Sequence, residues 1–249
     1  MPNHIDQLED DGEFLVHLGD LQYAVADQCK EGAYDVASSI LQKATMPTLV
    51  IPGDNDINDC PDTQQGESMW MKYFHMFDKK WNHSLPLTRW GKLDESFGFL
   101  RKGVLYFGVN MVGGTPYSWS EKVARHKEHL EQIKALFEEH QGQFEVVVLF
   151  HHAEPSSYHS DFFGGDTGFI SMIKEIGKPT IQLHGDRHSY YEKEGEYGVD
   201  NLVRISLVGR SEGAPISVII DVSKENPITV SRRESGLTVK CCSNGWPQQ

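Results

Sequence analysis

Residues 50–60, VIPGDNDINDC, gather Asp54, Asn55, Asp56 and Asn58 directly behind an apolar run and a Pro-Gly turn. A tight turn uses one or two such side chains. A denser collection of amide and carboxylate oxygens raises a metal site. Other short apolar runs end in residues of the same kind. FLVHL (14–18) is followed by Gly19-Asp20, VVVLF (146–150) by His151-His152, and TIQL (180–183) by His184-Gly185-Asp186-Arg187-His188. Carboxylate and imidazole ligands together suit Mn, Fe or Zn. Two such ions, about 3.5–4 Å apart, can bridge a phosphate and polarise a hydroxide to attack it. Taken singly, each cluster has an ordinary reading. Gly19-Asp20 reads as a turn, His151-His152 as a structural or surface pair, and Asp54-Asn55-Asp56 as a helix cap. The coincidence of all of them behind strand-like runs points to a site.

The elements that must position these residues read as alternating strands and helices. FLVHL, TLVI (48–51), VVVLF and TIQL are β-branched or bulky runs bounded by turn residues, and read as short buried strands. Sites in open α/β sheets form outside the carboxyl ends of the strands. Four neighbouring strands would therefore deliver all the clusters to one rim. YDVASSILQKA reads as a helix with Val36, Ile40, Leu41 and Ala44 on its apolar face. ESMWMKYFHMFDKKW places Trp70, Tyr73, Phe74, Phe77 and Trp81 on one face, and reads as core. A long helix runs from a Ser120 cap to Gly142, with Val123, Leu130, Ile133 and Phe137 inward and His126, His129 and His140 on a solvated face. VLYFGVNMVGG (104–114) reads as a strand, and NLVRISLVG, ISVIIDVS and ITVSRRES as a second, mostly antiparallel sheet. The expected fold is an α/β sandwich of two sheets with helices outside, as a single domain over 1–249.

The order Gly-Asp, Gly-Asp-Asn-Asp, His and Gly-Asp-x-His, each after a strand, resembles the calcineurin-like metallophosphoesterases over about residues 13–222. The resemblance implies an αββα sandwich of two mixed β-sheets flanked by helices. It also implies a centre of one or two divalent ions (Mn, Fe or Zn), and hydrolysis of a phosphomonoester or phosphodiester by a metal-bound hydroxide. Carried across, Asp20 is a bridging ligand and Asp54 stands at the family's metal-binding Asn. His151 or His152 is the single His ligand, Asp186 stands at the first His of Gly-His-x-His, and His188 is the last. Tyr23, in GDLQYA, matches a segment of the related purple acid phosphatases whose Tyr binds iron. Asn55 stands where the family carries its catalytic His, with Asp56 orienting it and Arg187 in reach of a phosphate. An amide at 55 donates a hydrogen bond but shuttles no proton. The family's opening Asp-x-His motif is absent, and HIDQL (4–8) resembles the tail of the helix that follows it, so the expectation is a domain lacking its first strand. These departures also leave a reading of different class: a phosphoesterase-like binding or scaffold protein with weak or no catalysis.

The bulk properties limit the function classes. The chain has 249 residues and a formal net charge of −13, with no dense Lys/Arg tract. Binding to a nucleic-acid backbone, which needs clustered cations, is not expected. Nor is a membrane span of roughly 18–20 apolar residues. A soluble protein is expected, and the resemblance implies a small phosphorylated substrate. The four cysteines, Cys29, Cys60, Cys241 and Cys242, form no C-x-x-C pair, which argues against structural zinc and demands no disulfide. The start of the chain carries no signal-peptide pattern. His17 and His184 read as strand histidines, His159 as a loop surface residue, and Asn58 and Asp59 as shaping the following loop.

Overall fold

The computed structural model describes residues 5, 12–22, 29–114, 118–209, 215–232 and 237–240. A mixed seven-stranded sheet dominates. It is built from β3 (Thr88–Trp90), β4 (Leu93–Arg101), β5 (Val104–Gly108), β6 (Val146–His151), β7 (Thr180–His184), β8 (Tyr191–Glu194) and β9 (Leu202–Ser206), in the order β3-β4-β5-β6-β7-β9-β8. Strands β5, β6, β7 and β9 run parallel, with antiparallel strands at both edges. Two small sheets accompany it. The parallel ribbon β1–β2 joins Leu15–His17 to Thr48–Val50, and β10 (Ile216–Ile220), β11 (Ile228–Arg232) and β12 (Leu237–Lys240) form an antiparallel sheet.

The period-2 alternation of the parallel strands sends side chains into two cores, so each strand reads as continuously apolar. Val147 and Leu149 of β6 pack with Leu130, Ile133 and Phe137 of helix α3 (Trp119–Glu139) and with Phe162 and Phe169, from the region of α4 (Ser160–Phe163) and α5 (Phe169–Ile176). Val146, Val148 and Phe150 face the other way and meet Leu18, Leu49 and Ile51 of the ribbon segments and Ile228 and Val230 of the antiparallel sheet. The ribbon's outer side, at Val50, is covered by helices α1 (Glu31–Leu41) and α2 (Thr63–Phe74), through Tyr34, Leu41, Trp70 and Phe74. The main sheet thus has helices on one face and the small sheets on the other. Among the described residues no helix is long and apolar enough to cross a membrane.

Several expectations change. The four motif-bearing strands do not share one sheet: β1 and β2 form the ribbon, and β6 and β7 sit in the large sheet. NLVRIS joins the large sheet as β9, because it pairs in parallel with β7. On α1 the buried face is Tyr34, Ala37, Ser38 and Leu41, while Val36 is 59% exposed. Helix α2 stops at Phe74, and Met76 at φ +50 turns the chain into a short 3-10 turn, Phe77–Lys80. Helix α3 is capped by Ser118 rather than Ser120, in a capping box with Glu121. His126 and His129 are buried against Phe162 and not solvated, and Val123 is exposed. His159 is buried too, its Nε2 3.3 Å from the Val112 carbonyl.

A disulfide joins Cys29 to Cys60, with Cα atoms 5.7 Å apart and a sequence separation of 31. It ties the entry of α1 to the loop after β2, and Tyr34 Oη lies against the same loop through Asp56 O at 2.7 Å. Opening a loop of this length costs roughly 2–4 kcal/mol in the chain-entropy picture. A Cys29→Ala, Cys60→Ala double variant is expected to lose that much stability in denaturant titrations. Reductant should lower the wild type to the variant's midpoint and leave the variant unmoved.

Candidate metal centre

Two turns of different strands approach each other more closely than side chains allow. Gly19 stands at φ +86. A Cβ on Gly53 would lie 2.2 Å from Asp20 N and 2.5 Å from Asp20 Oδ1. Only a residue without Cβ fits there. The buried Asp56 carboxylate stitches the turns together: Leu21 N donates to Oδ1 at 2.8 Å and Gly53 N to Oδ2 at 2.9 Å. Burial lifts the Asp56 pKa to about 7 despite those two amides. Asp20 and Asp54 are thereby set side by side at the end of the ribbon. The Asn55 backbone N–H donates to both, at 3.3 Å to Asp20 Oδ1 and 2.8 Å to Asp54 Oδ1.

The large sheet supplies the imidazoles. His152, just past β6, is fully buried, and its Nδ1 lies 2.6 Å from the Leu18 carbonyl at the end of β1. That contact fixes Nδ1–H as the donor and turns Nε2 outward. Nε2 lies 3.4 Å from Asp20 Oδ1 and 3.3 Å from Asp54 Oδ1 and has no hydrogen-bond partner. Asp20, Asp54 and His152 each offer a ligand atom within 4.8 Å of the others. Ligands held at roughly 2.1 Å in a tetrahedral shell stand about 3.4 Å apart, so the observed spacing fits a shared cation. His188 Nε2 reaches the other oxygen of Asp20, Oδ2, at 2.8 Å. Asp20 (φ +56), Asp186 (φ +42) and His188 (φ +56) all adopt the left-handed conformation, which Asp and His take more readily than most residues.

The other sequence candidates lie elsewhere. His151, the last residue of β6, points to the opposite face of the sheet from His152. Its Nε2 lies 2.7 Å from Gln182 Nε2, and its ring stacks on His184 at 5.5 Å. It does not reach the cluster, so the choice between the two histidines falls to His152. Burial holds the His151 pKa well below normal and that of His184 down to about 3. Asp186 turns its Oδ2 to Glu154 N at 3.0 Å and does not join the three. Asp56 touches backbone amides rather than the rim. Arg187 is exposed and pairs with Glu154 Oε1 at 2.6 Å. Tyr23 lies outside the described residues. Glu154, which also accepts from Tyr191 Oη at 3.2 Å, carried no sequence signal beyond following the His pair. The loop at Gly113 packs on Asp54 and accepts from Asn58 Nδ2 at 2.8 Å.

The charges in the cluster are mutually dependent. Burial opposes a charge on His152, but Asp54 and Asp20 outweigh it and lift its pKa to about 9. Burial raises the Asp20 pKa, and the Asp54 charge adds to the rise, more than the imidazolium lowers it. Burial pushes Asp54 up as well, yet His152, Asp20 and the Asn55 amide outweigh it and hold it below the usual carboxylate range. A proton on His152 thus occupies the position a cation would take.

No protein-family model matches the chain, and no curated protein matches it. Among solved structures, the chain is similar to TT1561 of Thermus thermophilus, at 15% identity over 89% of this chain and 86% of that one, with a TM-score of 0.42. It is also similar to GAP50, the anchor in the inner membrane complex of Plasmodium, at 11% identity over 91% and 76% of the two chains, with a TM-score of 0.44. Likeness at this level says nothing of activity.

A divalent cation must displace the His152 proton. Apparent affinity for Mn²⁺ or Zn²⁺ is therefore expected to rise about tenfold per pH unit up to about pH 9 and then level off, with a steeper fall at acid pH where Asp20 also takes up a proton. Calorimetry in buffers of different ionisation enthalpy should show proton release near pH 7. Affinity that stays flat from pH 6 to 8 would show that binding displaces no imidazole proton in that range. Gly53→Ala should weaken binding by roughly 10–100-fold through displacement of Asp20.

Proposed function

We propose that the chain is a metal-dependent phosphoesterase of the calcineurin-like metallophosphoesterase type, with an αββα arrangement of its sheets and helices. The observation that carries this is the His152 Nε2 atom: buried, without a hydrogen-bond partner, and aimed between two carboxylates from the other β-layer. Asp20, Asp54 and His152 would hold one ion, with His188 on the far oxygen of Asp20. Mn, Fe and Zn all suit this donor set. When bound, such an ion supplies a Lewis acid for a phosphoryl oxygen and lowers the pKa of water.

The chain's own groups do the rest. Asp20 spreads its two oxygens between His152 and His188, so the carboxylate can serve ligands on both sides. Leu18 O holds the His152 tautomer, and Asp56 holds Asp20 against Asp54. Asn55 offers an amide for a phosphoryl oxygen and no proton for a leaving group. Arg187, next to His188 in sequence, is an exposed cation paired with Glu154. A phosphomonoester or phosphodiester is the substrate class that these groups suit.

Two placements favour the second reading, a binding protein without turnover: the amide at 55 and the Asp186 carboxylate turned to Glu154 N. Metal-loaded protein is expected to hold one or two ions by mass spectrometry and to hydrolyse aryl phosphates. Asp20→Asn with Asp54→Asn should remove the ions and lower kcat/KM by more than the roughly 10–100-fold that loss of an outer-shell partner costs. Ions bound without hydrolysis would support the binding reading, and no bound ion would defeat the enzyme reading and leave the fold acting as a binder.

A further inference from the structure

The turns that carry Asp20 and Asp54 are joined twice: by the Asp56 carboxylate, and by a route through the Cys29–Cys60 disulfide. On the Asp20 side, Cys29 N donates at 2.8 Å to Oε1 of the buried Gln22, two residues beyond the ligand. On the Asp54 side, hydrogen bonds lead from ligand to cysteine. Asp54 O accepts from Ile57 N at 3.1 Å and from Asp59 N at 2.9 Å, and Ile57 O accepts from Cys60 N at 3.3 Å. The sulfurs themselves lie on the carbonyls of the two residues after Asp54. Cys29 Sγ is 3.8 Å from Asn55 O, and Cys60 Sγ is 3.6 Å from Asp56 O.

The bridge is closely packed, with both cysteines buried. Tyr34 Oη, which donates to Asp56 O at 2.7 Å, lies 3.7 Å from Cys60 Sγ. A Cβ on Gly66, in the first turn of α2, would stand 2.5 Å from the same sulfur and 3.2 Å from Asp56 O. Cys29 is held at φ +64, which residues with a Cβ seldom adopt. Reduced sulfurs are no longer bonded and move apart to van der Waals separation. Tyr34 and Gly66 leave no room for this on their side of Cys60, so the backbone at Asn55 and Asp56 must give. Asn55 N is the amide shared by Asp20 Oδ1 and Asp54 Oδ1, so a shift there reaches both carboxylates.

We propose that the Cys29–Cys60 pair is a redox switch for the metal centre: the disulfide form holds Asp20 and Asp54 at the spacing a cation needs, and the dithiol form relaxes it. The inference rests on metal binding by Asp20, Asp54 and His152, and not on hydrolysis. The reductant is a small dithiol. One of its thiolates attacks a sulfur of the bridge, the S–S bond breaks, and a mixed disulfide forms. Its second thiol then displaces the protein sulfur and the reductant closes into its own disulfide. Two electrons and two protons have passed to Cys29 and Cys60, which are left as thiols. By linkage, a cation that prefers the disulfide form makes that form harder to reduce by the same factor.

Mn²⁺ is the probe, with the free ion followed by electron paramagnetic resonance. The state of Cys29 and Cys60 is read by mass spectrometry of alkylated peptides. Mn²⁺ affinity is expected to fall roughly 10–100-fold when the wild type is reduced, the scale of a lost outer-shell support. Cys29→Ala with Cys60→Ala should bind as weakly as the reduced wild type and ignore the reductant. In dithiol buffers of graded potential, Mn²⁺ at levels that saturate both forms should make the midpoint of the pair about 30–60 mV more negative, the same factor at roughly 30 mV per tenfold. With Asp20→Asn and Asp54→Asn in place, the midpoint should not respond to Mn²⁺. Equal affinity in both redox states, with one midpoint whether or not Mn²⁺ is present, overturns the switch and leaves the metal reading standing. No Mn²⁺ bound by the oxidised protein overturns the metal reading, and the switch with it. Loss of the far-ultraviolet circular dichroism on reduction also overturns the switch, since the ion would then report unfolding rather than a change at the turns.

Discussion

The candidate site depends on one buried carboxylate. Asp56 accepts from Leu21 N and Gly53 N, and so fixes the turn after β1 against the turn after β2. The arrangement works because neither Gly19 nor Gly53 has a side chain to separate the backbones. An acid in this position is costly to ionise, and its pKa of about 7 reflects that cost. The return is positional. Asp20 and Asp54, whose mutual repulsion would otherwise spread them, are held within the reach of one ligand.

The second constraint crosses between layers. His152 follows a strand of the large sheet and donates its Nδ1–H to Leu18 O, at the end of β1. The bond orients the ring and joins the layers at the place where the carboxylates stand. The apolar contacts behind it, Leu49 and Ile51 against Val148 and Phe150, keep the layers registered. Core packing and ligand geometry are therefore parts of one construction.

Much of this was legible in the sequence. Asp20, Asp54, His152 and His188 each follow an apolar strand-like run, and it was those ends that met. What the runs could not disclose was which sheet each strand would join. TLVI and VVVLF look alike because both are buried on two faces, and only non-local pairing separates ribbon from main sheet. The choice between His151 and His152 turned on strand phase, which the sequence leaves open by one residue and which reverses the facing of every side chain. The burial of His126 and His129 is not legible in the sequence, because polar residues on a long helix read as solvated. The Cys29–Cys60 bridge was invisible for a different reason, since spacing alone does not specify pairing.

Because the cluster draws its carboxylates from the ribbon and its imidazoles from the large sheet, an ion held there would act as a rivet between β-layers. Its departure would then be governed less by individual ligand bonds than by how often the ribbon, just two short strands backed by α1 and α2, lifts from the large sheet. Occupancy would in turn suppress that lifting, as any ligand selective for the closed form does. Slow exchange of the ion and rigidity of the ribbon would be one property measured in two ways.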